Sequence, residues 1–191
     1  GEATTPSYEE SADSRTKSAL LAPNGANALT ERTGTTQKVW LHNLSVDQLT
    51  DLNEALTSST SAKWSADGQL ITYLGEALAG ETPSVYIARF DLGTNAVTET
   101  LLLSNKPSVV LGPIWVGGIN SVAIITASSS GQSLLIFDIP SSGPLSGSSS
   151  RPEVALSLRT DSNSFITADD QSVYFSRQFT STADSALSVF G

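Results

Sequence analysis

Four short stretches of this chain repeat one pattern, and the repeat limits the fold more than any other feature. "ALLAPNGANALTE", "AKWSADGQLITYL", "GPIWVGGINSVAIIT" and "NSFITADDQSVYFS" each carry a turn followed by an apolar run. The turns are Pro23-Asn24-Gly25, Ala66-Asp67-Gly68, Gly117-Gly118 with one residue more, and Ala168-Asp169-Asp170. Such turns need positive φ, which Gly accepts without steric cost and Asn or Asp tolerates. After each turn comes a strand, a variable loop and a second strand: "KVWLHNLS", "SVYIARFDL", "SLLIFDIP" and "ALSVF". Asn24 and Asp67 are 43 residues apart, and Asp67 and Asp169 are 102 apart, or two units of about 51.

A period in the forties with several strands per unit marks propeller blades. One four-stranded sheet cannot bury both of its faces alone, whereas sheets packed around an axis cover each other. The spacing therefore predicts an all-β, β-propeller-like chain of about four blades of four-stranded antiparallel sheet, open or partial as a ring. The blades are expected over about 19–57, 58–106, 107–158 and 159–191, after a flexible polar N-terminal arm over 1–18. Trp64 and Trp115, each just before a turn, are expected to fill space between adjacent blades. Residues 45–56, "SVDQLTDLNEAL", fit two readings. Ser45 with Gln48 resembles a capping box opening a short helix, while residues 48–52 read as the outer strand of a repeat; the repeat favours the strand.

"WSADGQLITYL…SVYIARFDL" resembles the W-S-x-D-G-x-x-I-x-[FY] repeat of TolB-type propellers. It is also similar to blades in the N-terminal domains of prolyl-oligopeptidase-type peptidases. "KVWLHNLSVDQLTDL" fits the same pattern, with a strand, an Asn-Leu step and a Leu-Thr outer strand. The resemblance covers about 19–191 and is strongest in the second copy; the third lacks Asp-Gly and the fourth has Asp-Asp. TolB-type propellers commonly have more blades. Either the N-terminal arm supplies the missing strand and closes a four-bladed ring, or the chain is a piece of a longer one or a half completed by a partner; the polar arm makes a poor inner strand, which favours the second reading. Open strand edges and uncovered apolar faces at such an end favour self-association.

Composition narrows the partners. The formal net charge is −9, and the 10 Lys and Arg residues are scattered singly. An acidic surface repels phosphate, which argues against nucleic acid and anionic membranes. The longest apolar runs are short and broken by Gly and Pro, so direct membrane insertion is not expected. There is no Cys, which removes disulfides, thiolate nucleophiles and Cys-based zinc sites. Only 15% of residues are charged, and Ser and Thr fill the gap. That composition is common in periplasmic, cell-surface and secreted β proteins. The polar first residues, with no initiator Met, read as a mature or trimmed N-terminus.

No recognisable catalytic set emerges. The single histidine, His42, lies in "WLHNL" on the Trp40 face, and no G-x-S-x-G elbow accompanies it. Ser14-x-x-Lys17 fits S-x-x-K by chance in a polar arm. Asp91 and Asp138 end equivalent strands and are read as turn caps, as are Asp67, Asp169 and Asp170. Asn43-Leu44-Ser45 is a glycosylation sequon only in a secretory eukaryote. Residues 140–152, "PSSGPLSGSSSRP", read as a flexible surface loop, and 128–133 as a hairpin loop. Catalytic, cofactor and metal residues are therefore expected to be none. The expected function is a non-catalytic, extracytoplasmic scaffold module that binds a protein or peptide. Two alternatives stand beside it: a substrate-gating propeller of a larger serine hydrolase or peptidase, and a structural component of a surface assembly or filament.

Overall fold

The computed structural model describes residues 15–34, 36–104, 109–117, 120–128, 131–156, 166–178 and 185–190. They form four antiparallel sheets in chain order. The first contains β1 (Arg15–Leu21), β2 (Asn27–Thr33), β3 (Lys38–Asn43) and β4 (Gln48–Asp51). The second contains β5 (Ser58–Trp64), β6 (Leu70–Glu76), β7 (Ser84–Asp91) and β8 (Ala96–Ser104). In the third, β9 (Val109–Val116), β10 (Ser121–Ser128) and β11 (Gly131–Asp138) are flanked by an outer strand in two pieces, β12 (Ser149–Ser150) and β13 (Val154–Leu156). The fourth holds β14 (Ile166–Ala168), β15 (Val173–Gln178) and β16 (Ser185–Phe190). Consecutive strands pair within each sheet, with β12 and β13 both against β11, and this outer strand breaks near Pro152, which has no N–H to donate to a ladder. Of the expected arm over 1–18, residues 1–14 lie outside the described set, and β1 begins at Arg15.

Burial follows the wedge. The second strands are covered on both faces, as in Leu70-Ile71-Thr72-Tyr73 of β6 and throughout most of β10. Successive side chains there enter different cores. Leu70 joins the cluster between the second and third sheets, and Ile71 the cluster between the first and second. Val122 and Ile124 likewise face the second sheet, while Ala123 and Ile125 face the fourth. Period-two alternation with apolar residues on both faces is what a sheet sandwiched between two others requires. The outer strand β8 instead alternates exposed and half-buried residues.

The two tryptophans bridge the sheets in the same way. Trp64 ends β5, is buried in the first cluster edge-on to Phe90, and donates from Nε1 to the Leu20 carbonyl of β1 at 3.2 Å. Trp115 on β9 donates from Nε1 to the Lys63 carbonyl of β5, also at 3.2 Å. Leu20 and Lys63 stand at equivalent positions, each five residues before the turn glycine, Gly25 or Gly68. One hydrogen bond thus recurs at two successive junctions. Ile166 occupies the matching place in the fourth copy and packs in the third cluster.

Two sequence expectations change. Residues 45–56 form a turn and the outer strand β4, so the helical alternative is wrong. A helix would put Val46 on one face with Leu49, Leu52 and Leu56. Instead Val46 is exposed, while Leu52 and Leu56 are buried in the first cluster. Asp47 adopts φ +50°, and the Asn43 side chain accepts the Ser45 N–H, which turns the chain back onto β3. The second change concerns 140–152. Leu145 lies in a single 3-10 turn, fully buried in the second cluster. Arg89 donates to the carbonyls of Pro140 and Gly143 at 3.1 and 3.0 Å, and Glu99 accepts the Leu145 N–H at 2.9 Å. Composition alone reads as a solvated linker; one leucine and two charges, Arg89 on β7 and Glu99 on the outer strand β8, latch it down.

Candidate functional site

Among the described residues, two of the concavities that carry charged side chains lie along the first two sheets. The larger, about 390 Å³, is lined by Gln69, Arg89, Phe90, Asp91, Leu92 and Thr98. Arg89 Nη2 bonds the loop at 140–143 and Asp91 accepts the N–H of Gly93 at 2.7 Å, while Arg89 Nε is buried without a hydrogen-bond partner, 4.0 Å from Glu99. The smaller, about 250 Å³, opens between the first and second sheets, with Ser18, Leu20, Leu29, Glu31, Ser61 and Lys63 among its walls.

Strand irregularities shape this second cleft from both sides. In β1, Thr16 pairs with Arg32 and Ser18 with Glu31, so Lys17 is an extra residue. In β5, Thr60 pairs with Leu74 and Lys63 with Thr72, leaving Ser61 and Ala62 opposite Tyr73 alone. Bulges of this kind bend a strand and re-aim its side chains. Ser61 has φ +57°, a conformation that L-residues avoid. The third sheet has the same bulge, with Gly112 three residues before Trp115 as Ser61 is before Trp64. Gly112 has φ +100°, and a Cβ there would sit 2.9 Å from the Ala123 carbonyl oxygen. Strain of this kind survives where the surroundings enforce it, and it gathers at functional sites.

Glu31 is the charged centre of the cleft. Its carboxylate accepts from Ser18 Oγ at 3.1 Å, from Gln37 Nε2 and from Thr60 Oγ1. Burial works to raise its pKa. The hydrogen bonds from Thr60, Gln37 and Ser18, with the charge of Lys17, outweigh burial and hold the carboxyl below its usual range. Thr60 and Gln37 reach it from β5 and from the β2–β3 connection, so the second sheet helps to fix a side chain of the first. The arrangement is an ionised, oriented acceptor in a groove with apolar walls.

The sequence-flagged residues lie apart from this cleft. His42 is half-buried on β3, its Nε2 2.8 Å from Asp47 Oδ1. Asp91 does cap its turn, and the Gly93 N–H is the main cause of its lowered pKa. Asp138 does not follow the turn-cap expectation. Arg151 grips it in a two-pronged pair at 2.9–3.1 Å, and Ser121 Oγ donates at 2.6 Å. The Arg151 hydrogen bonds are the main cause of its lowered pKa. The outer strand returning past β11 makes this pairing, and turn chemistry cannot foresee it. Asp67 accepts from the Gln69 N–H and Ser65 Oγ, and Asp169 from the N–H groups of Gln171 and Ser172 and from Tyr174 Oη. Asp170 lies exposed in the same turn. Ser14 is outside the described residues, and Lys17 is the extra residue of the β1 bulge. Among the described residues no cluster of three or more His, Asp or Glu could hold a metal ion, and no helix is long and apolar enough to cross a membrane.

Sequence reasoning missed Glu31 and Ser61. The one available signal for Ser61 was its alignment with Gly112. Nothing local marks Glu31, because a charged residue in "NALTERT" reads as facing solvent.

No protein-family model matches the sequence, and no curated protein matches it. Solved structures do. TolB from Acinetobacter baumannii superposes at TM-score 0.54 with 12% identity, over 93% of this chain and 41% of that one. The β-propeller domain of the Trilobed protease from Pyrococcus furiosus gives 0.57 with 10% identity, over 92% and 55%. Prolyl oligopeptidase B from Galerina marginata gives 0.52 with 10% identity, over 93% and 28%. The fold is therefore that of β-propeller blades, similar to those of TolB and of peptidase propeller domains. The chain spans roughly a quarter to a half of the length of these structures.

Proposed function

We propose that the chain is a non-catalytic module that binds a protein or peptide, as part of a larger protein or assembly outside the cytoplasm. The observation that carries the reading is the cleft between the first two sheets, where a strained backbone position and a fixed carboxylate share one groove. A rigid stack of sheets suits such a role, because sites on packed strands keep their geometry. Low charge content and abundant Ser and Thr support a periplasmic, cell-surface or secreted setting. The test is selection of a displayed random-peptide library on the purified chain. The expected result is an enriched sequence class whose synthetic member binds saturably with one-to-one stoichiometry and fails to bind the Ala19→Trp variant, which obstructs the exposed rim of the cleft. No enrichment over a blocked surface refutes the reading.

A second reading has its own support. Two of the neighbours are propellers of proteolytic enzymes, and the chain matches only part of each. A gating or substrate-binding propeller of a larger serine hydrolase fits this likeness. Sequencing the surrounding reading frame decides it: continuation into an α/β domain with G-x-S-x-G favours gating, and its absence removes that reading.

A further inference from the structure

We propose that the cleft between the first and second sheets receives one cationic group, an ammonium or guanidinium presented by a protein or peptide, with Glu31 as its counter-ion. The inference rests on the binding-module reading and names the chemistry of its partner.

A carboxylate is an acceptor only, with roughly four lone-pair positions. Ser18, Gln37 and Thr60 fill three of them. All three donors are neutral, so they orient the charge of Glu31 without cancelling it. A fourth donor that carries positive charge completes the set with a charge-assisted bond, about twice as strong as a neutral one. Two native cations stand near Glu31, Lys63 on the cleft wall and Lys17, whose charge acts on the carboxylate; both are exposed, and neither is hydrogen-bonded to it.

Size selects a single group. At about 250 Å³ the cleft lies below the ~300–1,000 Å³ typical of pockets that enclose drug-sized ligands. One side chain or chain end fits, with its aliphatic part against Leu20 and Leu29. The β5 bulge places Ser61 and Ala62 on the cleft wall, Ser18 follows the β1 bulge onto it, and Ser61 keeps its strained conformation where the equivalent blade uses Gly112. The net charge of −9 steers cationic partners toward the surface.

The test titrates the chain with acetyl-Gly-Lys-Gly amide and with the same peptide acetylated on the lysine, following backbone amide shifts by NMR. Saturable shifts at Ser18, Ser61 and Lys63 are expected with the charged peptide. Lysine acetylation and Glu31→Gln are each expected to weaken binding by about tenfold or more, and raised salt to weaken it further. Lys63→Ala is expected to leave binding equal or stronger. Equal binding of charged and acetylated peptides, shifts that map elsewhere, no saturation, or weaker binding to Lys63→Ala overturns the proposal. If Glu31→Gln does not fold, the two peptides on the unaltered chain and on Lys63→Ala still decide. Library-selected peptides that bind regardless of their positive charge overturn this site and leave the binding-module reading intact, whereas failure to bind any peptide sinks both.

Discussion

Leu145→Ala isolates the latch that holds residues 140–152. Leu145 is fully buried against Val122, Ile124, Phe137 and their neighbours. Burial of such a side chain is worth about 1.5–3 kcal/mol, and truncation of a core leucine costs about 2–5 kcal/mol once the cavity is included. This residue arrives on a loop, which relaxes more readily than a strand, so the lower half of that range applies. A loss of about 2–3 kcal/mol corresponds to a Tm decrease of roughly 4–12 °C for a domain of this size. The loop should also open. The N–H groups of Gly147 and Ser148, bonded to the Pro144 and Leu145 carbonyls, should lose protection against hydrogen exchange. Arg89→Ala offers an independent cut: it removes the bonds to Pro140 and Gly143 and leaves the leucine in place. It should raise exchange in the loop with a smaller change in Tm. Thermal melting with hydrogen-exchange mass spectrometry checks both variants. A Leu145→Ala protein with unchanged Tm and unchanged loop exchange refutes the latch and restores a solvated linker.

Two further outcomes follow from the packing. Trp64→Phe and Trp115→Phe each remove one junction hydrogen bond and part of an indole's contact area, for about 1–3 kcal/mol apiece in urea denaturation. The two bonds share no partner, so the double variant should show near-additive loss; strong non-additivity contradicts independent junctions. Tyr73, fully buried, has its pKa pushed up to about 12, chiefly by burial. Because the unfolded phenol ionises near its ordinary pKa of about 10, stability is intact below pH 10 and falls by about 1.4 kcal/mol per pH unit between 10 and 12. Tyr73→Phe removes that component of the slope and leaves the Asn53 amide without its Tyr73 Oη acceptor; denaturation at stepped alkaline pH reads both effects.

How much was legible varies from element to element for physical reasons. The turns at Asn24-Gly25 and Asp67-Gly68 are local, since their side chains bond backbone groups two residues on. The two-faced strands "QLITYL" and "SVAIITA" announce burial on both sides through unbroken apolar runs. The tryptophans before the turns signal the blade junctions. Residues 45–56 were ambiguous because leucines at helical spacing also arise when a strand ends and its flanks drop into the core. The loop at 140–152 misleads because one leucine among Ser, Gly and Pro is statistically invisible, yet Arg89 and Glu99, some fifty residues earlier, wait to receive it.

The sequence by itself determined the repeat, the all-β class and the division into four sheets. Each of these depends on short-range chemistry: positive φ at a turn, alternation along a strand, a tryptophan before the turn in two of the four copies. Only the tertiary structure decided the Glu31 cleft, the Arg151–Asp138 pairing and the latched loop. Those features join residues from different strands or sheets, and their partners are chosen by register and by which sheet faces which. A bulge that adds one residue to one strand resets that choice while leaving almost no trace in the order of amino acids.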